Sequence, residues 1–152
     1  MAGFRGFLIT CLLVAGLDQG SKALVKSILA HEGVKTVIPG FFNLVYLWNP
    51  GVAFGFFAGG GEGLRYFFIF ANLLAAVGLF CYARGKDLPT QVLSGLIAGG
   101  ALGNLIDRLL YGKVFDFLDF YLGPYHWPAF NLADSAITIG VLGFFFRMLR
   151  ET

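Results

Sequence analysis

Residues 90–110, TQVLSGLIAGGALGNLIDRLL, decide the fold, because they form a long apolar stretch whose charges stand only at its far end. A helix needs about 20 mostly apolar residues to cross the hydrocarbon core of a bilayer, so this stretch predicts a transmembrane helix. Small residues recur on one face of that helix at four-residue spacing, which lets a neighbouring helix approach closely. These residues are Gly95, Gly99 and Gly103.

Three other stretches have similar length and apolar character, namely residues 7–29, 64–83 and 130–149. Only 13% of the chain is charged, whereas a typical soluble domain has about 25% charged residues. The mean hydropathy is +0.75. We therefore predict an all-α membrane protein, in which residues 1–152 form a single integral membrane domain with four transmembrane helices.

The first stretch admits a second interpretation. Arg5 followed by a short apolar core is also typical of a secretory signal peptide. Against cleavage, no clear A-x-A-like site follows, and the helix-compatible pattern continues to Leu29. Four membrane spans are therefore the favoured count.

Two long connections, residues 30–63 and 111–129, join these helices. The first is hydrophobic but is broken repeatedly by proline and glycine, whereas its residues 34–45 have the β-branched and aromatic content of strands. Because open strand edges are not tolerated against lipid, we expect a small β-like cradle at the membrane interface. Tyr46 and Trp48 would then lie at the level of the lipid headgroups.

Basic residues indicate the orientation in the membrane. The link at residues 84–87 is short and basic, and Arg5, Arg147 and Arg150 lie near the two ends of the chain. With four spans all of these fall on one side, which the positive-inside rule assigns to the cytoplasm. The N- and C-termini are then cytoplasmic, and the two long loops are extracytoplasmic.

Ionisable residues inside a membrane span are costly and mark either function or buried pairing. Asp18 and Lys22 are four residues apart, so they share a helical face and are predicted to pair. Asn104 and Arg108 have the same spacing near the outward end of the third span. Asp107 points about 100° away from Arg108 around the helix, and we expect it at the membrane interface.

Asp116 and Asp134 are the strongest candidates for catalysis. Asp116 lies between two phenylalanines, and Asp134 lies in the first turn of the last span, three residues after Asn131. The two aspartates bracket one outward loop, so they can meet at the bilayer surface. In a poorly hydrated site they share a proton, and one can activate water while the other protonates the leaving group. Such acids also serve proton relays, and spacing alone does not separate the two roles.

Other reaction classes find little support in the sequence. The chain has no G-x-S-x-G elbow and no H-E-x-x-H motif, and two histidines, His31 and His126, are too few for a typical zinc site. Cys11 and Cys81 lie in apolar runs without metal-ligand spacing, and we predict that both are buried thiols. The net charge of +2 does not suggest nucleic-acid binding.

Around these residues the chain resembles the lipoprotein signal peptidase family, also called signal peptidase II. The resemblance covers nearly the whole chain and rests on five motifs in the family's order and approximate spacing. They are 18–22 DQGSK, 49–55 NPGVAFG, 99–108 GGALGNLIDR, 114–117 VFDF and 128–134 PAFNLAD. A small departure is Val52, where the family often has alanine.

The resemblance implies an enzyme of the bacterial cytoplasmic (inner) membrane that removes the signal peptide from prolipoproteins, just before a cysteine that carries diacylglycerol. It implies that Asp116 and Asp134 are the catalytic aspartates. The other matching positions are implied to bind substrate or support the site: Asn104, Arg108, Asn131, Asp18, Lys22 and Asn49. The family also implies contact with membrane lipids, inhibition by the cyclic peptide globomycin, and no metal or organic cofactor. The aromatic loop at residues 48–57 is a candidate lid.

Two other functions stay open. A proton-coupled small membrane transporter or channel suits acids within spans, although the acids gather at one face and leave the inward half of each span apolar. A non-catalytic membrane partner would use the glycine stripe for a contact with another protein.

Overall fold

Apolar helices and a small antiparallel sheet make up the computed structural model, which describes residues 4–30, 33–51 and 61–151. The helices are α1 (Arg5–Leu29), α2 (Gly61–Tyr82), α3 (Leu88–Tyr111) and α4 (Leu132–Glu151). The strands are β1 (Val34–Ile38), β2 (Phe42–Asn49), β3 (Val114–Leu122) and β4 (Tyr125–His126). Each long connection therefore supplies two strands to the sheet.

Within the described residues, four helices are long and apolar enough to cross a membrane, which confirms the prediction of four such helices. Most boundaries differ from the predicted ones by one to three residues. The difference that matters is at the last helix, which begins at Leu132 instead of residue 130. Phe130 forms a β-bridge to Leu118 instead, and Asn131 caps the helix.

The central helix is α3, which contacts each of the other three helices. Its glycine stripe faces α1: a Cβ at Gly99 would lie 2.6 Å from the Cys11 carbonyl oxygen, and one at Gly103 would lie 2.5 Å from Asp18 Oδ2. No side chain fits at such distances, so the glycines let α1 pack directly on the α3 backbone. The predicted packing role of the stripe is confirmed.

The end of the bundle away from the sheet is filled by apolar side chains. Phe7, Ala83 and Ala98 form a buried cluster there with Cys11. Cys11 is buried as predicted, but the prediction is wrong for Cys81, which is exposed on α2. The reason is that little of α2 is covered by the rest of the protein, so most of its side chains face outward.

The sheet is antiparallel, with strand order β1-β2-β3-β4. Phe115 and Phe117 of β3 are buried against Val25 and Leu29 in the last turns of α1, and this contact fixes the sheet to that end of the bundle. Successive side chains of a strand point to opposite faces, so Asp116 points away from the apolar contact. The predicted β-like cradle is this antiparallel sheet.

Lys26 reinforces the junction between the sheet and the helices. Its Nζ lies 4.6 Å from the ring centroid of Trp48, 4.4 Å from that of Tyr111 and 5.0 Å from that of Phe115. Each contact is a cation–π interaction, and together they join α1 to α3, β2 and β3. Of the predicted lid at residues 48–57, residues 52–57 lie outside the described part of the chain, as does His31.

Replacing Gly99 with alanine is expected to destabilise the bundle by about 1–3 kcal/mol, because the added methyl group would overlap the α1 backbone. Gly78→Ala is the matched control, since a Cβ there meets nothing within 4 Å. Alanine should even stabilise α2 at that position, by up to about 1 kcal/mol. Thermal unfolding in detergent micelles, followed by circular dichroism, compares the two. Equal stability of both variants would contradict the close α1–α3 contact.

Candidate active site

Asn131 and Asp134 cap the start of α4 reciprocally. The Asp134 backbone N–H donates to Asn131 Oδ1 at 3.0 Å, and the Asn131 backbone N–H donates to Asp134 Oδ2 at 3.2 Å. The first N–H groups of a helix have no partner within it, and such a capping box supplies partners from the helix start itself. The cap thereby fixes both the backbone and one carboxylate oxygen of Asp134.

The side-chain amide of Asn131 connects this cap to β3. Its Nδ2 donates to Asp116 Oδ1 at 2.8 Å and lies 3.3 Å from the Phe115 carbonyl oxygen. Asn131 is fully buried, and Asp116 is 2% exposed. Asn131 therefore hydrogen-bonds to both Asp116 and Asp134, and the fold brings the two aspartates to one site.

Asn104 of α3 makes a second link. Its Nδ2 donates to Asp134 Oδ1 at 2.8 Å, and its Oδ1 accepts hydrogen bonds from Asn131 Nδ2 at 3.1 Å and from Lys22 Nζ at 3.4 Å. Because the Asn104 oxygen faces two donors, its NH₂ group must point to Asp134. Each carboxylate oxygen of Asp134 thus has a donor.

Asn49, at the end of β2, holds the other carboxylate oxygen of Asp116. Its Nδ2 donates to Asp116 Oδ2 at 2.9 Å, while its Oδ1 accepts the Gly51 backbone N–H at 2.9 Å. Gly51 has a φ of 102°, in the region that favours glycine. The tight turn after β2 therefore orients the Asn49 amide toward Asp116.

A buried ion cluster lies next to these groups. Lys22 Nζ is 2.8 Å from Asp18 Oδ2 and 2.9 Å from Asp107 Oδ2, and none of the three side chains is more than 1% exposed. The predicted pairing of Asp18 with Lys22 is confirmed. Asp107 is fully buried within the protein, because it is one helical turn beyond Gly103 and faces α1. Its position at the membrane interface stays a prediction.

Arg108 makes its direct contacts outside this cluster. Its Nη1 donates to the Asn104 carbonyl oxygen at 3.4 Å, and its guanidinium lies 4.9 Å from the Phe68 ring centroid. The carboxylates of Asp18 and Asp107 both contact Lys22 instead. Arg108 still interacts electrostatically with Asp116 and Asp134.

Gln19 belongs to this network, and sequence analysis does not single it out. Its Nε2 lies 3.2 Å from Asp18 Oδ2, 3.1 Å from Asp107 Oδ1 and 3.1 Å from the Gly103 carbonyl oxygen. The only signal in the sequence is its place beside Asp18 in the 18–22 motif. Amphipathic spacing does not reveal it, because adjacent helix residues do not share a face.

Burial raises the pKa of Asp116 to about 7, and the neighbouring Asp134 carboxylate adds to this rise. The amides of Asn49 and Asn131 and the charge of Lys22 act in the opposite direction. Near neutral pH the pair therefore holds a proton that an exposed aspartate would have lost. The arrangement is suited to proton transfer by two coupled carboxylates.

A cleft of about 440 Å³ opens beside Asp134, lined by Trp127, Phe130, Ser135, Thr138 and Ile139. A larger groove of about 810 Å³ lies between α3 and α4 near Leu88 and Arg150, at the other end of the bundle. Within the described ranges, no group of three or more His, Cys, Asp or Glu side chains is arranged to hold a metal ion.

Comparison with known proteins agrees with this geometry. Residues 10–150 match the model of the family described as signal peptidase (SPase) II. The chain belongs to the signal peptidase II family. The matched region contains all of the site residues described above, so the resemblance drawn from the five motifs is confirmed.

This signal peptidase II chain is similar to known relatives, and to solved structures of other proteins, over nearly the full length of each. It is 50% identical over 147 residues to the lipoprotein signal peptidase of Desulforapulum autotrophicum, covering 93% of this chain and 90% of that one. It is 47% identical to that of Syntrophus aciditrophicus, covering 95% and 92%. A bacterial membrane enzyme solved by the in meso method at 1.9 Å superposes with a TM-score of 0.84 at 31% identity, covering 100% of this chain and 99% of the other.

The Asn49→Ala variant is expected to raise the pKa of Asp116 further, because the variant loses a hydrogen bond that favours the ionised carboxylate. The rise should be about one pKa unit, since such a bond is worth roughly 1.5 kcal/mol and one unit corresponds to about 1.4 kcal/mol. Infrared titration of the protonated aspartate C=O stretch measures it, with Asp116→Asn to assign the band. Asn43→Ala is the matched control, because the Asn43 amide donates to Asp119 instead. An equal rise of the Asp116 pKa in Asn49→Ala and Asn43→Ala would contradict a specific hydrogen bond from Asn49 to Asp116.

Proposed function

We propose that this chain is an aspartyl endopeptidase that removes the signal peptide from prolipoproteins, with Asp116 and Asp134 as its catalytic pair. The observation that carries the proposal is the position of Asn131, which donates from its side chain to Asp116 and from its backbone to Asp134. One residue thus holds two carboxylates together in a poorly hydrated site. The family to which the chain belongs supports the substrate class.

The proposed chemistry follows from the shared proton. The ionised member of the pair takes a proton from a water molecule, which attacks the carbonyl carbon of the scissile peptide bond. The protonated member donates its proton to the carbonyl oxygen, which gives a tetrahedral intermediate. The member that took the proton from water then passes that proton to the leaving amine as the C–N bond breaks, and the other member recovers its proton from a hydroxyl of the intermediate. The raised pKa of Asp116 supports this scheme, because it keeps one proton on the pair near neutral pH. Arg108 is proposed to orient the substrate backbone or the pair.

The finer description of the substrate is also a proposal. We infer that cleavage occurs just before a cysteine that carries diacylglycerol, and that globomycin competes for the same site. The cleft beside Asp134 supports this idea, because its apolar walls of Trp127, Phe130 and Ile139 suit a lipid-bearing peptide. Contact with the surrounding membrane lipids is expected for every exposed apolar helix face.

Proton-coupled transport is the weaker candidate. A proton path would have to continue from the site through the far half of the bundle. That half is filled by the apolar cluster of Phe7, Cys11, Ala83 and Ala98. The peptidase needs no such path, since its substrate and water meet at one end of the bundle.

The proposed orientation places the sheet and the two aspartates at the outer face of the cytoplasmic membrane, with both termini inside. Single-cysteine variants in a Cys11→Ser, Cys81→Ser background test it with a membrane-impermeant maleimide. We expect Tyr125→Cys, in β4, to react in intact cells. Arg84→Cys, in the turn before α3, should react only after the cells are opened. The reverse labelling pattern would overturn the orientation.

Asp116→Asn and Asp134→Asn are each expected to lower kcat for prolipoprotein cleavage by about 10²–10⁴-fold, the usual contribution of an acid or base group. The assay uses purified protein and a diacylglyceryl-modified prolipoprotein, with product resolved by gel electrophoresis. Asp87→Asn is the control, because Asp87 is an exposed aspartate paired with Arg147 at the other end of α3. Wild-type cleavage by either dyad variant would refute the assignment.

The pH dependence of cleavage should follow the pair. Since the pKa of Asp116 is raised to about 7, the pair loses its remaining proton as the pH rises through that value. Cleavage should therefore decline as the pH rises above about 7, because the acid member then loses its proton. A profile of kcat/KM against pH measures the decline, and constant activity up to pH 9 would contradict the shared proton.

A further inference from the structure

Two buried aspartates outside the catalytic pair each bind the backbone N–H that immediately precedes a member of the pair. Asp107 Oδ2 accepts the Phe115 N–H at 2.9 Å, and Phe115 precedes Asp116. Asp18 Oδ1 accepts the Ala133 N–H at 2.9 Å, and Ala133 precedes Asp134. The same kind of contact thus occurs on both sides of the site, once on β3 and once at the start of α4.

The two accepting carboxylates are themselves joined. Lys22 Nζ lies 2.8 Å from Asp18 and 2.9 Å from Asp107. Gln19 Nε2 also bridges them, at 3.2 Å and 3.1 Å. The two bridging residues are on α1, whereas the backbone groups that are held belong to β3 and α4.

We propose that Asp18, Asp107, Lys22 and Gln19 act as a positioning clamp that fixes Asp116 relative to Asp134. This inference rests on the proposed function, in which those two aspartates are the catalytic pair. The clamp touches neither carboxylate of the pair. Its direct hydrogen bonds are to the backbone one residue before each member of the pair.

The contacts of the clamp make it a rigid one. Asp18 and Asp107 are fully buried and Lys22 is 1% exposed, so water does not compete for their hydrogen bonds. A charge-assisted hydrogen bond in such surroundings is short and directional. Each backbone N–H is held at a hydrogen-bond distance, and the side chain that follows can move little. Lys22 Nζ also donates to Asn104 Oδ1 at 3.4 Å, and the Asn104 amide in turn donates to Asp134.

A positioning role has a kinetic signature that differs from that of a general stabilising role. Displacing a reacting group by about 1 Å lowers the rate about 10²-fold without weakening substrate binding. Loss of the clamp should therefore lower kcat and leave KM nearly unchanged. A residue that only stabilises the fold would lower the amount of folded enzyme and leave kcat per folded molecule unchanged.

Asp107 offers the clearest pair of variants. Asp107→Leu removes the acceptor for the Phe115 N–H, and we expect kcat per folded enzyme to fall about 10²-fold with KM changed less than about threefold. Asp107→Asn keeps an oxygen that can accept this N–H, and we expect it to restore kcat to within about tenfold of wild type. Folded enzyme is quantified by size-exclusion chromatography and thermal unfolding in the same detergent.

Asp119→Leu is the matched control. Asp119 is also a buried aspartate, 6% exposed, but it lies on β3 beyond the pair and binds Asn43 and His126. Its replacement perturbs the same sheet without releasing the Phe115 or Ala133 N–H. We expect kcat per folded enzyme within about threefold of wild type, the range of ordinary context effects.

Gln19→Leu keeps the experiment decisive if Asp107→Leu does not fold. It removes one of the two bridges and leaves all three charges of the cluster in place. The loss of a neutral bridge is worth roughly 1 kcal/mol, so kcat should fall about fivefold with KM unchanged. The clamp would be overturned if Asp107→Leu and Gln19→Leu, where they fold, keep the wild-type kcat. It would also be overturned if kcat falls equally in Asp119→Leu.

Failure of the clamp is distinguishable from failure of the proposed function. Asp116→Asn and Asp134→Asn are assayed in parallel with the same substrate. If those two variants are inactive while the clamp variants keep wild-type kcat, the catalytic pair stands and the clamp is rejected. If Asp116→Asn or Asp134→Asn cleaves normally, the catalytic pair is rejected, and the clamp falls with it.

Discussion

The positive charge of a buried ammonium group must be balanced by nearby carboxylates. The packing around Lys22 depends on this constraint. Removing an ion from water costs several kcal/mol, which only close and well-oriented partners offset. Lys22 has two carboxylates within 2.9 Å, one on its own helix and one on α3. The second contact requires α1 and α3 to approach closely, and Gly99 and Gly103 permit this because a side chain at either position would overlap α1. The glycine stripe and the ion cluster are thus two parts of one helix contact.

The start of α4 shows how a local helix signal becomes part of a site. The capping residues Asn131 and Asp134 satisfy each other, and Asp18 accepts the N–H of Ala133 between them. Carboxylates are favoured at a helix N-terminus because the helix dipole is positive there. A capping residue without any contact to Asp116 would serve as well to start the helix. Here the same cap also holds Asp116 through the Asn131 amide, so the start of the helix is part of the site.

The sequence predicts the features that depend on residues of a single helix. Apolar length predicts the four spans, four-residue spacing predicts the Asp18–Lys22 pair, and the glycine repeat predicts a packing face. Burial is harder to predict, because lipid-facing and core-facing side chains are equally apolar. Cys81 is exposed for this reason, although its sequence context resembles that of Cys11. Asp107 is a further example, because its burial depends on how α3 is rotated against α1, and no single helix encodes that rotation.

The two pairs of aspartates in this protein differ in the groups that compensate them. Asp18 and Asp107 share an ammonium, so their negative charge is partly neutralised inside the bundle. The nearest donors to Asp116 are the amides of Asn49 and Asn131, which hydrogen-bond to a carboxylate but carry no net charge. These amides orient the Asp116 carboxylate but bring no positive charge to it. Burial therefore raises the pKa of Asp116 to about 7. An ammonium thus lies against the carboxylates of Asp18 and Asp107, whereas amides lie against that of Asp116. Of the four aspartates of the site, the two that we propose as catalytic are those held by the amides of Asn49, Asn104 and Asn131.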